Sequence, residues 1–134
     1  MAYFDSEDEV YKYIGGVFEA GAEHETVGPK FAAADVILQV YYTDPDSQMT
    51  IRMEQPKMTV HCGEEDEEAD VKLYMPADTG DKYWRGEYNL AVGLAKGHVK
   101  AKGPVNKILK LVPLTKGLFP LYKESITEKD GAAA

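Results

Sequence analysis

The chain has 134 residues, 44% of them hydrophobic and 28% charged, with a net charge of -8 at pH 7. That length suits a single domain spanning residues 1–134, able to bury roughly two-thirds of its unfolded surface. No uncharged apolar run approaches the ~20 residues of a membrane helix, the acidic start "MAYFDSEDEV" lacks the features of a secretory signal, and the lone Cys62 excludes an internal disulfide, so the expected compartment is the cytoplasm.

Ser6 followed by Glu9 predicts a capping box that opens a helix. Val10, Ile14, Val17 and Phe18 then recur at helical spacing, although Gly15-Gly16 weakens that helix by about 1 kcal/mol per glycine against alanine. A short second helix is expected from Pro29 to Ala34, anchored by Phe31. From Asp35 the period changes to two. "DVILQVYYT" reads as a strand and "DPDS" as a turn with Pro45 at its second position. "QMTIRME", "KMTVHCG" and "DVKLYM" alternate in turn, setting Met49, Ile51, Met53, Met58, Val60, Cys62, Val71, Leu73 and Met75 on apolar faces. "GEEDEE" reads as a charged hairpin tip between the third and fourth strands, so the first four strands are expected to be hairpin-linked and antiparallel.

"DTGDKYWRGEYNLAVGLAKG" predicts two short helices, the first starting at Asp78 and carrying Tyr83 and Trp84, the second carrying Leu90 and Leu94. Gly97 to Lys102 forms the fifth strand, with Val99 and Ala101 set against His98, Lys100 and Lys102. After Pro104 a helix bears Ile108, Leu109 and Val112 until Pro113, Gly117 and Pro120 interrupt it. The folded core is expected over about 8–122, with 124–134 a flexible tail. The fold class is α+β: helices covering one face of a five-stranded, mainly antiparallel sheet.

Little of this carries reactive chemistry. Ser6, Ser47 and Ser125 lie in no nucleophile elbow. Cys62 falls on an apolar strand face, where a thiol is a small hydrophobe. His61 and Cys62, as strand neighbours, point to opposite faces and cannot chelate together. Glu64–Glu68 lacks the glycine and spacing of a calcium loop. Asp78 and Asp81 suit a helix start, His24 and His98 read as exposed, and no carboxylate pair suited to acid–base work stands out. No metal, cofactor or catalytic residue is expected.

The charge is uneven. Residues 1–70 carry 17 acidic and 4 basic side chains, residues 71–134 carry 6 and 11, and the stretch Lys82–Lys123 holds nine basic residues and one acidic. The acidic half opposes nucleic acid, while the basic half suits a small anion or an anionic surface. Four of the five methionines, Met49, Met53, Met58 and Met75, fall in the sheet. With Tyr83, Trp84 and a Pro/Gly-broken C-terminal segment, they suggest an adaptable pocket wall closed by a segment that can part for a ligand.

"WRGEYNLAVGLAKGHVKAKGPVNKILKL" resembles the sterol carrier protein type-two family of small lipid-binding domains. In that family an aromatic-bearing helix and a short helix precede a "GK-x-K-x-x-G" strand that enters an apolar C-terminal segment. The matching positions here are Trp84, Gly86, Gly97, Val99, Lys100, Lys102 and Gly103, and the element order agrees over roughly residues 8–122. Two positions depart: Gly103-Pro104 stands where Gly-Asp is usual, and His98 replaces a lysine. The "AAA" ending differs from the Ser-Lys-Leu-type peroxisomal address of some relatives.

The resemblance implies a sheet and helices around an apolar tunnel that binds a fatty acid, fatty acyl-CoA or sterol-like lipid without altering it. The expected sheet-side contacts are Phe31, Val40, Ile51, Met53, Met58, Val60, Leu73 and Met75. The expected helix and lid contacts are Tyr83, Trp84, Leu90, Leu94, Leu109, Val112, Leu118 and Phe119. Lys102 and Lys107 are the expected contacts to an anionic head group or to an anionic membrane, and Leu118→Asp is expected to weaken binding far more than stability. Two rivals stand beside this reading. One is a small isomerase or cyclase acting on an apolar ketone, which needs an ionisable Asp or His in the pocket. The other is an accessory dimerisation module using Arg52, Lys72 and Lys100 on the wet sheet face. The oligomeric state is open.

Overall fold

The computed structural model describes residues 2–133. The chain opens with α1 (Glu7–Val10), a π-helical turn (Tyr11–Gly15) and α2 (Gly16–Glu23) in one continuous rod, followed by α3 (Val27–Ala32). Ser6 caps α1 as its sequence predicts, accepting from Glu9 N, and the Glu9 carboxylate reaches back to Asp5 N at 2.7 Å. The widened turn ends at the Gly15-Gly16 pair, where glycine lowers the preference for regular helix. His24 Nδ1 accepts the backbone N–H groups of Thr26 and Val27 at the start of α3, a cap that the sequence pattern did not reveal.

Five strands follow: β1 (Val36–Thr43), β2 (Ser47–Met53), β3 (Thr59–Cys62), β4 (Val71–Pro76) and β5 (Lys100–Lys102). They pair in the order β3-β2-β1-β4-β5. Three of the pairs are antiparallel, as expected, but β4 lies parallel to β1, with Val40 opposite Leu73. The expectation of four hairpin-linked strands is therefore corrected. β3 occupies the far edge beside β2, so the connection to β4 must cross both β2 and β1.

That crossing explains the acidic segment 63–70, which is no hairpin tip. It lies over the outer face of the sheet and is held there by polar side chains of β1 and β2. Gln39 Nε2 donates to Glu64 O at 3.2 Å, Asp66 N donates to Gln39 Oε1 at 2.8 Å, and Thr50 Oγ1 donates to Gln39 Oε1 at 2.5 Å. Arg52 pairs with Asp66 at 2.8 Å, and Tyr41 donates to Glu65. Gln39 and Thr50 are thus buried polar groups with their hydrogen bonds met, which removes the usual penalty for burying them.

Helices cover the opposite face. α4 (Ala77–Trp84) and α5 (Leu90–Ala95) bridge β4 to β5, and α6 (Val105–Leu109), α7 (Val112–Lys116) and α8 (Phe119–Ala133) complete the chain. The turn into α6 requires Gly103, which has φ +98°; a Cβ there would stand 2.2 Å from Asp70 O. The expected flexible tail from Glu124 is corrected as far as Gly131: this part of α8 is helical and its Ile126 is 2% exposed. Lys129 ties α8 to Glu9 at 2.9 Å, and Asp130 accepts from Tyr3 at 2.5 Å. A pattern interrupted by Pro120 and Gly131 did not announce this helix, because Pro120 stands in its first turn, where its missing N–H does no harm.

Candidate ligand cavity

Strand alternation sends Leu38, Val40 and Tyr42 of β1, Met53 of β2, and Leu73 and Met75 of β4 to the inner face. Opposite them stand Phe18 of α2, Gly80, Tyr83 and Trp84 of α4, and Leu90 of α5. Ile108 of α6, the connecting Leu111, and Val112 and Thr115 of α7 complete the wall of a cavity between sheet and helices. The space in and around it, open solvent at its edge included, is about 550 Å³.

An aromatic cluster forms one side. Trp84 meets Phe18 edge-on at 5.1 Å, Tyr83 at 5.5 Å and Phe119 at 6.0 Å, with Tyr122 behind it at 6.4 Å. Such edge-on pairs stabilise by about 0.5–1.5 kcal/mol beyond their buried area. The wall holds no Asp, Glu, Lys, Arg or His. Tyr83 and Thr115 share a hydrogen bond of 2.5 Å, and Thr115 Oγ1 also donates to Val112 O at 2.7 Å. Burial raises the Tyr83 hydroxyl pKa, with the Thr115 bond opposing, and burial likewise raises that of Tyr42. Both tyrosines are neutral at physiological pH.

A buried carboxylate does lie near Trp84. Asp81 is 6% exposed but is not part of the cavity wall. Arg85 Nε donates to both of its oxygens, at 3.0 and 2.9 Å, and Tyr122 donates to Oδ1 at 2.7 Å. The helix-start role expected of Asp81 is corrected: it joins α4 to α8. Asp78 lies in the first turn of α4 and accepts Tyr3 N at 2.9 Å. Among the described residues, no three His, Cys, Asp or Glu side chains converge as a metal site.

Of the residues expected from sequence, Val40, Met53, Leu73, Met75, Tyr83, Trp84, Leu90 and Val112 line this cavity. Phe31, Ile51, Met58 and Leu118 are not part of its wall; each is at most 1% exposed. Leu118, Met58 and Phe31 close over Gly21, with atoms 2.7, 3.6 and 3.6 Å from where its Cβ would be. Leu118 is therefore core rather than lid. Val60 sits on edge strand β3, and Leu94 lines a separate groove beside β5. Lys102 lies over the Tyr74 ring at 5.7 Å, and Lys107 is exposed on α6; neither reaches the cavity.

Leu109 and Phe119 border an open surface groove that shares Tyr83, Leu90 and Val112 with the cavity wall. Lys116 and Glu87 also line that groove. Beside it, the Tyr88 hydroxyl is buried without a hydrogen-bond partner, packed against Gly93.

Sequence reasoning passed over Phe18, Leu38, Tyr42, Ile108, Leu111 and Thr115. For Phe18, Leu38 and Tyr42 the signal was present, in the helical stripe of α2 and in the same alternation as Val40. Leu111 and Thr115 depend on how α6 and α7 turn back over the sheet, which no periodicity encodes.

The sequence model of the SCP-2 sterol transfer family matches residues 18–116. Among solved structures, the chain is similar to the sterol carrier protein domain 2 of Helicoverpa armigera, with a TM-score of 0.67 and 18% identity over 90% of this chain and 95% of that one. It is also similar to Sterol Carrier Protein 2 from Yarrowia lipolytica in its apo form, at 0.63 and 19% over 77% and 87%. The sec-alkylsulfatase Pisa1 from Pseudomonas sp. shares the fold over 63% of this chain, at 0.57 and 21%; the chain spans 13% of that protein's length. At these identities the likeness is one of fold. No curated protein matches the sequence. The matched model, the sheet order and the helix-covered face agree, and the chain belongs to the SCP-2 sterol transfer family.

Proposed function

We propose that the protein binds one lipid in the cavity under Trp84 and releases it chemically unchanged. The observation that supports this is the wall: it is apolar on sheet and helix sides alike, carries no ionisable acid or base of the carboxylate, ammonium or imidazole kind, and its Tyr83 and Thr115 hydroxyls are bonded to each other. Such a surface offers no group to activate a water or polarise a carbonyl, but it favours transfer of hydrocarbon from water. Each buried CH₂ contributes about 0.8 kcal/mol, so an acyl chain or sterol nucleus binds without a polar anchor. Met53 and Met75, unbranched and polarizable, adapt the wall to ligands of different shape. Fatty acid, fatty acyl-CoA and sterol are the ligand classes this fits, with membership of a sterol transfer family in support.

The test is a titration of delipidated protein with a fluorescent fatty acid, read also through Trp84, the only tryptophan. Saturable one-site binding with a change in Trp84 emission, reversed by competing acyl-CoA or sterol, is the expected result. A folded protein that binds none of the three overturns the proposal.

A further inference from the structure

The outer face of the sheet carries both signs of charge side by side. Across β1 and β2 lies the acidic segment 63–70, fixed by Gln39, Thr50 and Arg52. Its Asp66 is neutralised by Arg52, and its Glu64 meets His61 at 3.6 Å. Among the described residues, no Lys, Arg or His nitrogen lies within 4.0 Å of the carboxylates of Glu65, Glu67 or Glu68.

The basic half stands on β4 and β5. Strand register sets Lys72 directly opposite Lys102 and Tyr74 opposite Lys100, with Tyr41 of β1 beside Tyr74. These side chains therefore share the outer face. The two tyrosine rings stack at 4.9 Å, and Lys102 lies over the Tyr74 ring at 5.7 Å. Like charges directly opposite each other on two strands destabilise a sheet. Yet among the described residues no carboxylate oxygen comes within 4.0 Å of Lys72, Lys100 or Lys102.

We infer that this face is the contact between two copies of the chain, related by a twofold axis that runs along β1 and β4 in the plane of the interface. The order across the strands is acidic segment, stacked tyrosines, lysines. A twofold in that direction reverses the order in the partner, so each acidic segment meets the partner's lysines and the tyrosine pairs meet at the centre. The relief matches in the same way: the segment is raised above β1 and β2, whereas Lys100 and Lys102 on β5 are open to solvent. A nucleic acid or an anionic membrane would satisfy the lysines but be repelled by Glu65, Glu67 and Glu68 beside them. A basic partner meets the reverse conflict. A second copy presents both signs in the matching order. The contact goes beyond lipid binding and does not depend on it, since the cavity lies on the opposite face of the sheet.

The experiment is sedimentation velocity on the full chain over micromolar to submillimolar concentrations, at low and high salt. A monomer–dimer equilibrium that salt weakens is expected. Lys100→Glu with Lys102→Glu, and separately Glu67→Lys with Glu68→Lys, should each weaken self-association at least about tenfold, because like charges then face each other at both ends of the contact. Mixing the two variants should restore dimers, since a mainly acidic face then meets a mainly basic one. Lys110→Glu with Lys123→Glu makes the same charge change on α6 and α8, across the sheet from this face, and should leave association unaltered. Circular dichroism establishes that each variant is folded, so the outcome does not rest on lipid binding. A monomer at every concentration in low salt, dimers that either reversal leaves intact, an equal effect of the control pair, or no recovery on mixing overturns the proposal.

Discussion

The cluster around Gly21 and the cavity under Trp84 are built from the same kinds of side chain, yet one is filled and the other is open. Phe31, Met58 and Leu118 close on Gly21 until no room for a methyl group remains. Val40, Met53 and Leu73 stand across a gap from Trp84, Phe18 and Leu111. The difference lies in what presses on each. α2 and α3 lie against β3 and β2, so that end of the sheet is packed tightly. The other end is covered by α4 to α7, four helices of at most eight residues joined by loops, which bridge the space rather than fill it. Apolar composition measures the tendency to leave water; whether the space is then occupied is a property of backbone paths.

Breaking the filled side should have the largest effect. Leu118→Asp places a carboxylate where Leu118 is fully buried and should cost at least about 4 kcal/mol, enough to leave the domain largely unfolded in urea titrations. Asp81→Ala comes next. It strips Arg85 and Tyr122 of their shared acceptor and should lower stability by about 3 kcal/mol, seen as a reduced denaturation midpoint with an unchanged slope. Leu111→Phe sharpens the contrast from the open side: stability should stay within about 1.5 kcal/mol because the added volume enters empty space, while fatty-acid affinity falls at least about tenfold. The equivalent enlargement on the filled side, Gly21→Ala, should instead destabilise, since Leu118 would have to move.

Smaller effects test the polar groups at the margins. Tyr88→Phe removes a hydroxyl that is buried without a partner and should stabilise by about 1 kcal/mol in thermal unfolding. Glu9 has its pKa lowered, first by the Asp5 backbone N–H and then by Lys129. A depressed carboxyl pKa stabilises the fold above the unfolded value near 4.5, and that contribution is lost as pH falls through the folded value. Glu9→Gln should therefore flatten the acid limb of stability below about pH 5, measured as midpoint against pH.

How much of this could be read without the fold differs from residue to residue. Val40, Leu73 and Met75 were legible as inward residues because a strand repeats every two residues and one face of this sheet is wet. Trp84 and Tyr83 were legible as large apolar groups with no other local role. Leu118 was misread, because a Pro- and Gly-broken segment has no periodicity to say which side faces inward. Lys102 and Lys107 were expected to meet an anionic head group or an anionic membrane, and both stand outside the cavity wall.

What the sequence determined by itself was local: the capped first helix, the period-two strands, the turn before β2, the charge asymmetry and the fold class those elements permit. Each depends on interactions between residues close in the chain, where spacing translates directly into a shared face. Only the tertiary structure decided that β4 joins β1 in parallel, that the acidic segment crosses the outer sheet face, and that Asp81 holds α8 against α4. The same holds for which apolar residues surround empty space. These depend on contacts between residues tens of positions apart, whose geometry follows from how the elements pack and leaves no repeat in the sequence.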